Sequence, residues 1–89
     1  MKLRFLSGLR EIVGGEEVDL AYVGRLSELL ESLCDRHGES LRRLLLDTEN
    51  PGRKSPFVKI LVDGEDVGQG DPELGGEEEI FLFLPIAGG

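Results

Sequence analysis

Between residues 25 and 37 the apolar positions change period. Leu26, Leu29, Leu30 and Leu33 stand at i, i+3, i+4 and i+7, the spacing of one face of an α-helix. Ser27, Glu28, Glu31, Ser32, Asp35 and Arg36 fill the opposite face. A helix with one apolar stripe must bury it, and the segments before and after it alternate polar and apolar residues as strands do. The 89 residues have room for one domain and one core. The expected solution is therefore two layers of α+β type, with the helix laid across one face of a mixed sheet. Gly38, directly after His37, marks the end of the helix. Its start is poorly marked, because Gly24 is only a moderate N-cap. Leu41, Leu44 and Leu45 predict a further short turn of helix.

The strands follow from the period of two. Residues 2–6 alternate and place Leu3 and Phe5 inward. Residues 7–15, with Ser7, Gly8, Gly14 and Gly15, read as a turn or loop. Residues 16–20 form a second short alternating run with Val18 and Leu20 inward, the partner of the first in an antiparallel hairpin. Residues 47–56, DTENPGRKSP, read as a solvated loop. Phe57 to Val62 is rich in β-branched residues and predicts a central strand. Asp63-Gly64 is a hairpin turn signal, with residues 65–67 returning from it. Residues 68–79, rich in Gly and Glu, read as a surface loop, and residues 79–84 as the last strand. The result is a sheet of four to five strands with one main helix on one face. Residues 1–84 form the domain and residues 85–89 a flexible tail.

The last strand is apolar on both faces. With Ile80, Leu82 and Leu84 inward, Phe81 and Phe83 point outward and mark a docking patch. Alternatively the strand is central and covered on both sides, or pairs in a homodimer. Pro85 ends its ladder, having no N–H to give. The chain then closes with Ile86-Ala87-Gly88-Gly89. Glycine lacks a Cβ, so such an end can thread a narrow channel, and Gly89 presents an unhindered α-carboxylate. That carboxylate can attack the α-phosphate of ATP, and the resulting acyl-adenylate is activated toward sulfur or nitrogen nucleophiles. A partner would supply the phosphate and metal binding.

Composition narrows the partners. With 18 acidic against 10 basic residues, the chain is not expected to bind nucleic acid or anionic membranes. Partners with basic patches would be steered toward it. One cysteine, Cys34, allows no internal disulfide, which fits a reducing compartment. Charged residues interrupt every apolar run of the N-terminal segment, so neither a signal peptide nor a membrane span fits and the cytoplasm is expected. Cys34, beside the helix's apolar stripe, reads as a buried structural thiol. His37 has no second ligand at metal spacing, and Asp47, Glu49 and Asn50 lack the EF-hand spacing. Neither Gly14-Gly15 nor Gly75-Gly76 leads into a phosphate-loop motif. With no Ser/His/Asp, Cys/His or paired-carboxylate set, the chain is not expected to catalyse a reaction on its own.

The segments KLRFL, LREIVGG, VKILVDGEDV and EEEIFLFLPIAGG together resemble the small, sulfur-carrying subunit of molybdopterin synthase, and more broadly the ubiquitin-like β-grasp sulfur carriers. The resemblance runs over nearly the whole chain. It is weaker to the thiazole-pathway sulfur carrier, which is usually shorter and lacks so clear an Arg-Glu segment. It implies a β-grasp fold whose terminal glycine is adenylated, at the expense of ATP, by a ubiquitin-activating-type enzyme. A persulfide or sulfide donor then converts the adenylate to a thiocarboxylate. The tail enters the large synthase subunit and delivers sulfur to a pterin precursor. Carried over by position, Gly89 bears the sulfur, Gly88 threads the channel, and Phe83 docks on partners. The alternation of the last strand adds Phe81 to that partner-binding surface, and Pro85 adjoins it where the tail is freed. Arg10 matches the family arginine near partner contacts and is equally placed for a surface ion pair. No cofactor is expected on the chain itself. The loop at 47–56 is longer and more charged than is common in the bacterial members. Relatives with such loops serve tungsten cofactor synthesis, tRNA thiolation or attachment to protein lysines.

Overall fold

Residues 1–6, 8–15, 17–50 and 53–85 are described by a computed structural model. Its elements are β1 (Lys2–Phe5), α1 (Leu9–Val13), β2 (Glu17–Asp19), β3 (Gly24–Arg25), α2 (Leu26–His37), α3 (Glu39–Leu45), β4 (Lys59–Val62), β5 (Glu65–Asp66), β6 (Glu73–Leu74) and β7 (Glu79–Phe83). Five strands form one sheet in the order β2-β1-β7-β4-β5, and β3 and β6 form a separate pair. β1 runs parallel to β7, and the other neighbours are antiparallel.

The alternation in the sequence is the alternation of burial. Leu3 and Phe5 on β1, Ile80 and Leu82 on β7 and Ile60 on β4 are essentially inaccessible. They meet Leu26, Leu29, Leu30 and Leu33 of α2, while Leu9 of α1 and Leu41 and Leu45 of α3 close the same core. Cys34 lies within it as a free thiol. The β4–β5 turn uses Asp63 at φ 51° and Gly64 at φ 87°, the left-handed pair that a two-residue hairpin turn requires. The Asp63 N–H donates to the Glu79 carbonyl at 2.9 Å, and the Glu79 N–H returns a bond to the Asp63 carboxylate at 3.0 Å.

Three expectations are corrected. Residues 9–13, read as part of a loop, form α1. Leu9, Ile12 and Val13 stand at i, i+3 and i+4 against the core, and Gly14 at φ 81° closes the helix with its N–H on the Arg10 carbonyl. Within 68–79, residues 73–74 pair with residues 24–25, and Leu74 is buried. The strand expected from Phe57 begins at Lys59, because Ser55 to Val58 make a turn closed by a bond from the Val58 N–H to the Ser55 carbonyl. As expected of a central strand, β4 lies inside the sheet between β7 and β5, and β7 stands at the middle.

The start of α2 is capped from a distance. The carboxylate of Asp71 accepts from the Ser27 N–H at 2.7 Å and the Ser27 hydroxyl at 2.8 Å, satisfying a helix N–H that has no partner within the helix. In the described part of the 47–56 segment, Leu46 bridges Lys54. The Asp47 carboxylate there accepts from the N–H groups of Glu49 and Asn50 and from the Asn50 side chain.

Three carboxyl groups are held below their ordinary values by such bonds. Glu78 is held by the N–H of Gly75, with those of Gly76 and Glu77 on the same carboxylate. Asp47 is held by the Asn50 side chain, and Asp66 by the Lys59 ammonium. A carboxyl whose folded value is depressed stabilises the fold above its unfolded value and loses that contribution as pH falls through the folded one. The thermal midpoint should therefore stay level at neutral pH and drop once pH falls below the ordinary values of 4.5 for Glu78 and 3.8 for the two aspartates. Glu78→Gln should lower the neutral-pH midpoint and make the acid limb shallower. A pH series of melting curves measures both, and an unchanged acid limb would remove Glu78 from this account.

Candidate docking face and C-terminal exit

The helices cover one face of the sheet. On the other face, β7 carries Phe81 and Phe83, both half-buried. Register fixes their neighbours. Phe81 lies between Arg4 of β1 and Leu61 of β4, and Phe83 lies beside Lys59. Leu61, Phe81 and Phe83 thus make an apolar strip along the middle of the sheet.

Ion pairs border the strip on both sides. Arg4 stands 3.3 Å from Glu79 and 3.7 Å from Glu17, and its guanidinium carbon lies 5.7 Å from the centre of the Phe81 ring. On the other flank the Lys59 ammonium donates to Asp66 at 2.7 Å. All of these side chains are at least a third exposed. Exposed pairs contribute about 0–1 kcal/mol each, so a partner can rearrange them at little cost. An apolar centre with a neutralised polar border is the anatomy of a protein-binding surface.

β7 points its C-terminal end past this strip. The Leu6 N–H donates to the Leu82 carbonyl at 2.9 Å, so β1 and β7 finish together and α1, which follows β1, stands at that end with exposed Arg10. Pro85, also exposed, is the last residue described there. Gly88 and Gly89 lie outside the described residues. The structure therefore places Phe81 and Phe83 on one face, and Arg10 and Pro85 at the end where β7 finishes. Arg4, Leu61 and Lys59 complete the surface, and sequence reasoning missed them. Alternation along β1 and β4 marks them as outward, but only the register with β7 brings them to the aromatics.

Burial pushes the Cys34 thiol up to about 11, with Arg42 partly opposing it, so at neutral pH it is protonated and shielded. A groove of about 440 Å³ at the β5 edge is lined by Val62, Asp66, Val67, Asp71 and Pro72 among others, with carboxylates but no thiol, hydroxyl or imidazole. No helix among the described residues is long and apolar enough to cross a membrane.

The sequence matches the ThiS family over residues 3–89. No curated protein matches it. Among solved structures, the HVO 2177 protein of Haloferax volcanii is 30% identical with a TM-score of 0.71, over 99% of this chain and 84% of that one. Small archaeal modifier protein 1 of Methanosarcina acetivorans is 22% identical with a TM-score of 0.76, over 99% and 94%. A Pyrococcus furiosus protein, a candidate molybdopterin converting factor subunit 1, is 23% identical with a TM-score of 0.63, over 96% and 95%. The chain belongs to the ThiS family, with the ubiquitin-like β-grasp fold of its sulfur carriers and modifiers.

Proposed function

We propose that this protein carries sulfur as a thiocarboxylate on Gly89 for the synthesis of molybdopterin, the organic part of the molybdenum cofactor. The observation that carries the reading is the central strand. Its inner residues anchor the core, its outer residues make an apolar docking strip, and two residues beyond its end the chain passes through Pro85 toward Gly88-Gly89. Such a chain supplies a substrate and a handle, while the catalytic groups belong to others. The likeness to the Pyrococcus furiosus protein supports molybdopterin as the destination.

On this reading a ubiquitin-activating-type enzyme binds the Phe81 and Phe83 face, with Arg10 and Pro85 at the edge of the contact. The Gly89 carboxylate attacks the α-phosphorus of ATP held by that enzyme, and pyrophosphate leaves. Hydrosulfide then attacks the acyl carbon, and AMP leaves with the oxygen. A persulfide donor reaches the same product once a second thiol releases the acyl disulfide. The thiocarboxylate tail then enters a large synthase subunit, with Gly88 in the channel. The chain binds no cofactor of its own, and the cytoplasm supplies ATP and reduced sulfur.

Incubation with the adenylating enzyme, ATP and sulfide should add to Gly89 the mass difference between sulfur and oxygen. A C-terminal peptide unchanged in mass, beside an enzyme active on another carrier, overturns the reading. The likeness to the archaeal modifier favours a second reading. There a lysine amine captures the adenylate, and isopeptide adducts that vanish on deletion of Gly89 would identify it. Transfer of the sulfur to tRNA is a further destination for the same thiocarboxylate.

A further inference from the structure

Phe57 is 75% exposed, yet it sits on a turn tied down by its neighbours. It occupies the turn Ser55-Pro56-Phe57-Val58. Ser55 is 2% and Val58 1% exposed. The Ser55 N–H donates to the Leu45 carbonyl at 2.7 Å, and the Phe57 N–H donates to the Ser55 hydroxyl oxygen at 3.1 Å. The Lys54 ammonium donates to the carbonyls of Ser55 at 3.2 Å and Val58 at 2.9 Å. Burial lowers the pKa of that lysine, a cost the fold bears to bind two carbonyls of one turn. An aromatic ring on a turn this well fixed loses little backbone freedom on binding.

Its position matters as much. β4 is antiparallel to β7, with Lys59 opposite Phe83. Residues just before Lys59 therefore stand at the end of the sheet where β7 finishes and the chain runs on through Pro85. A protein that encloses the last residues must approach this end. Two copies of the chain, each with a net charge of −8, repel one another, which disfavours a second copy as the occupant. Resting on the tail-delivery reading above, we infer that Phe57 is a second anchor, filling an apolar pocket beside the channel mouth of the adenylating enzyme that takes up Gly88-Gly89.

Val23 provides the control. It is equally exposed, at 75%, but lies beside Gly76, ahead of the first residue of β7, at the opposite end of the strand. The test measures pyrophosphate release by the ubiquitin-activating-type enzyme with ATP and with sulfide to discharge the adenylate, as the concentration of the carrier is varied. Phe57→Ser should raise KM for the carrier about 30-fold, the loss of one aromatic hot spot, with kcat and the melting midpoint unchanged. Val23→Ser should leave KM at the wild-type value. A wild-type KM for Phe57→Ser, with the wild-type chain turning over, overturns this inference and leaves the proposed function standing. A KM raised equally by Val23→Ser, or a change in the number of copies per particle in solution between wild type and Phe57→Ser, also overturns it. Absence of pyrophosphate release with wild type, from an enzyme active on another carrier, overturns the proposed function and the inference with it.

Discussion

One alanine added after Gly89 is expected to abolish thiocarboxylate formation and leave the melting midpoint where it was. The proposed adenylation asks for a carboxylate at a fixed distance from the docked domain. An extra residue moves it outward by up to about 3.5 Å and puts a Cβ into a path suited to glycine. A misplacement of about 1 Å at a reacting centre costs on the order of 100-fold in rate, so the adenylation step should fall below detection. The fold has no stake in the addition, because the buried residues of β7 are Ile80 and Leu82 and the strand ends at Phe83. The check is mass spectrometry of the terminal peptide after incubation with the adenylating enzyme, ATP and sulfide, paired with a melting curve. Thiolation of the added residue at the wild-type rate would refute Gly89 as the reacting position. Deletion of Gly89 should be equally inactive and equally stable.

How much of this was legible depended on distance along the chain. The apolar stripe of α2, the left-handed turn at Asp63-Gly64 and the alternation that turns Phe81 outward are local patterns. Each is set by residues within a few positions of one another, so the sequence displays them directly. What it hid was long-range or small. The cap of α2 comes from Asp71, which is 44 residues from Ser27, and no local signal at Gly24 or Arg25 announces it. β3 and β6 are two residues each, too short for any period to show. α1 was masked by the glycines around it, although Leu9, Ile12 and Val13 carried the helical spacing. The parallel pairing of β1 with β7 joins the two ends of the domain. Without that register, Arg4 cannot be placed over Phe81. The strip proposed for docking was therefore half visible, its aromatics read from alternation and its charged border supplied by topology.

Leu82 and Phe83 are neighbours in sequence, and their replacement by alanine should have opposite consequences. Leu82 is 1% exposed and lies in register between Phe5 of β1 and Ile60 of β4, both fully buried. Truncating a leucine in such a layer costs about 2–5 kcal/mol, from lost transfer energy and the cavity left behind. Small domains hold only about 5–15 kcal/mol in all, and each kcal/mol moves the melting midpoint by about 4–8 °C at this size. Leu82→Ala should therefore melt at least about 8 °C lower, while any of it still folded at the assay temperature docks with the wild-type KM. Phe83 lies on the other face, half-buried beside Lys59, with no layer of helices above it. Its truncation removes a cross-strand contact that contributes about 0.2–1 kcal/mol, so Phe83→Ala should melt within a few degrees of wild type. Its KM with the adenylating enzyme should rise by a factor on the order of 10 to 100, as expected for an aromatic at the centre of an interface. Melting curves and initial rates on the two variants decide the matter. A Phe83→Ala chain as unstable as Leu82→Ala, with an unaltered KM, would make the outer aromatics part of the packing and leave the strip without a docking role. The separation of the two effects on adjacent residues is what a central strand with one face in the core and one face toward a partner must produce.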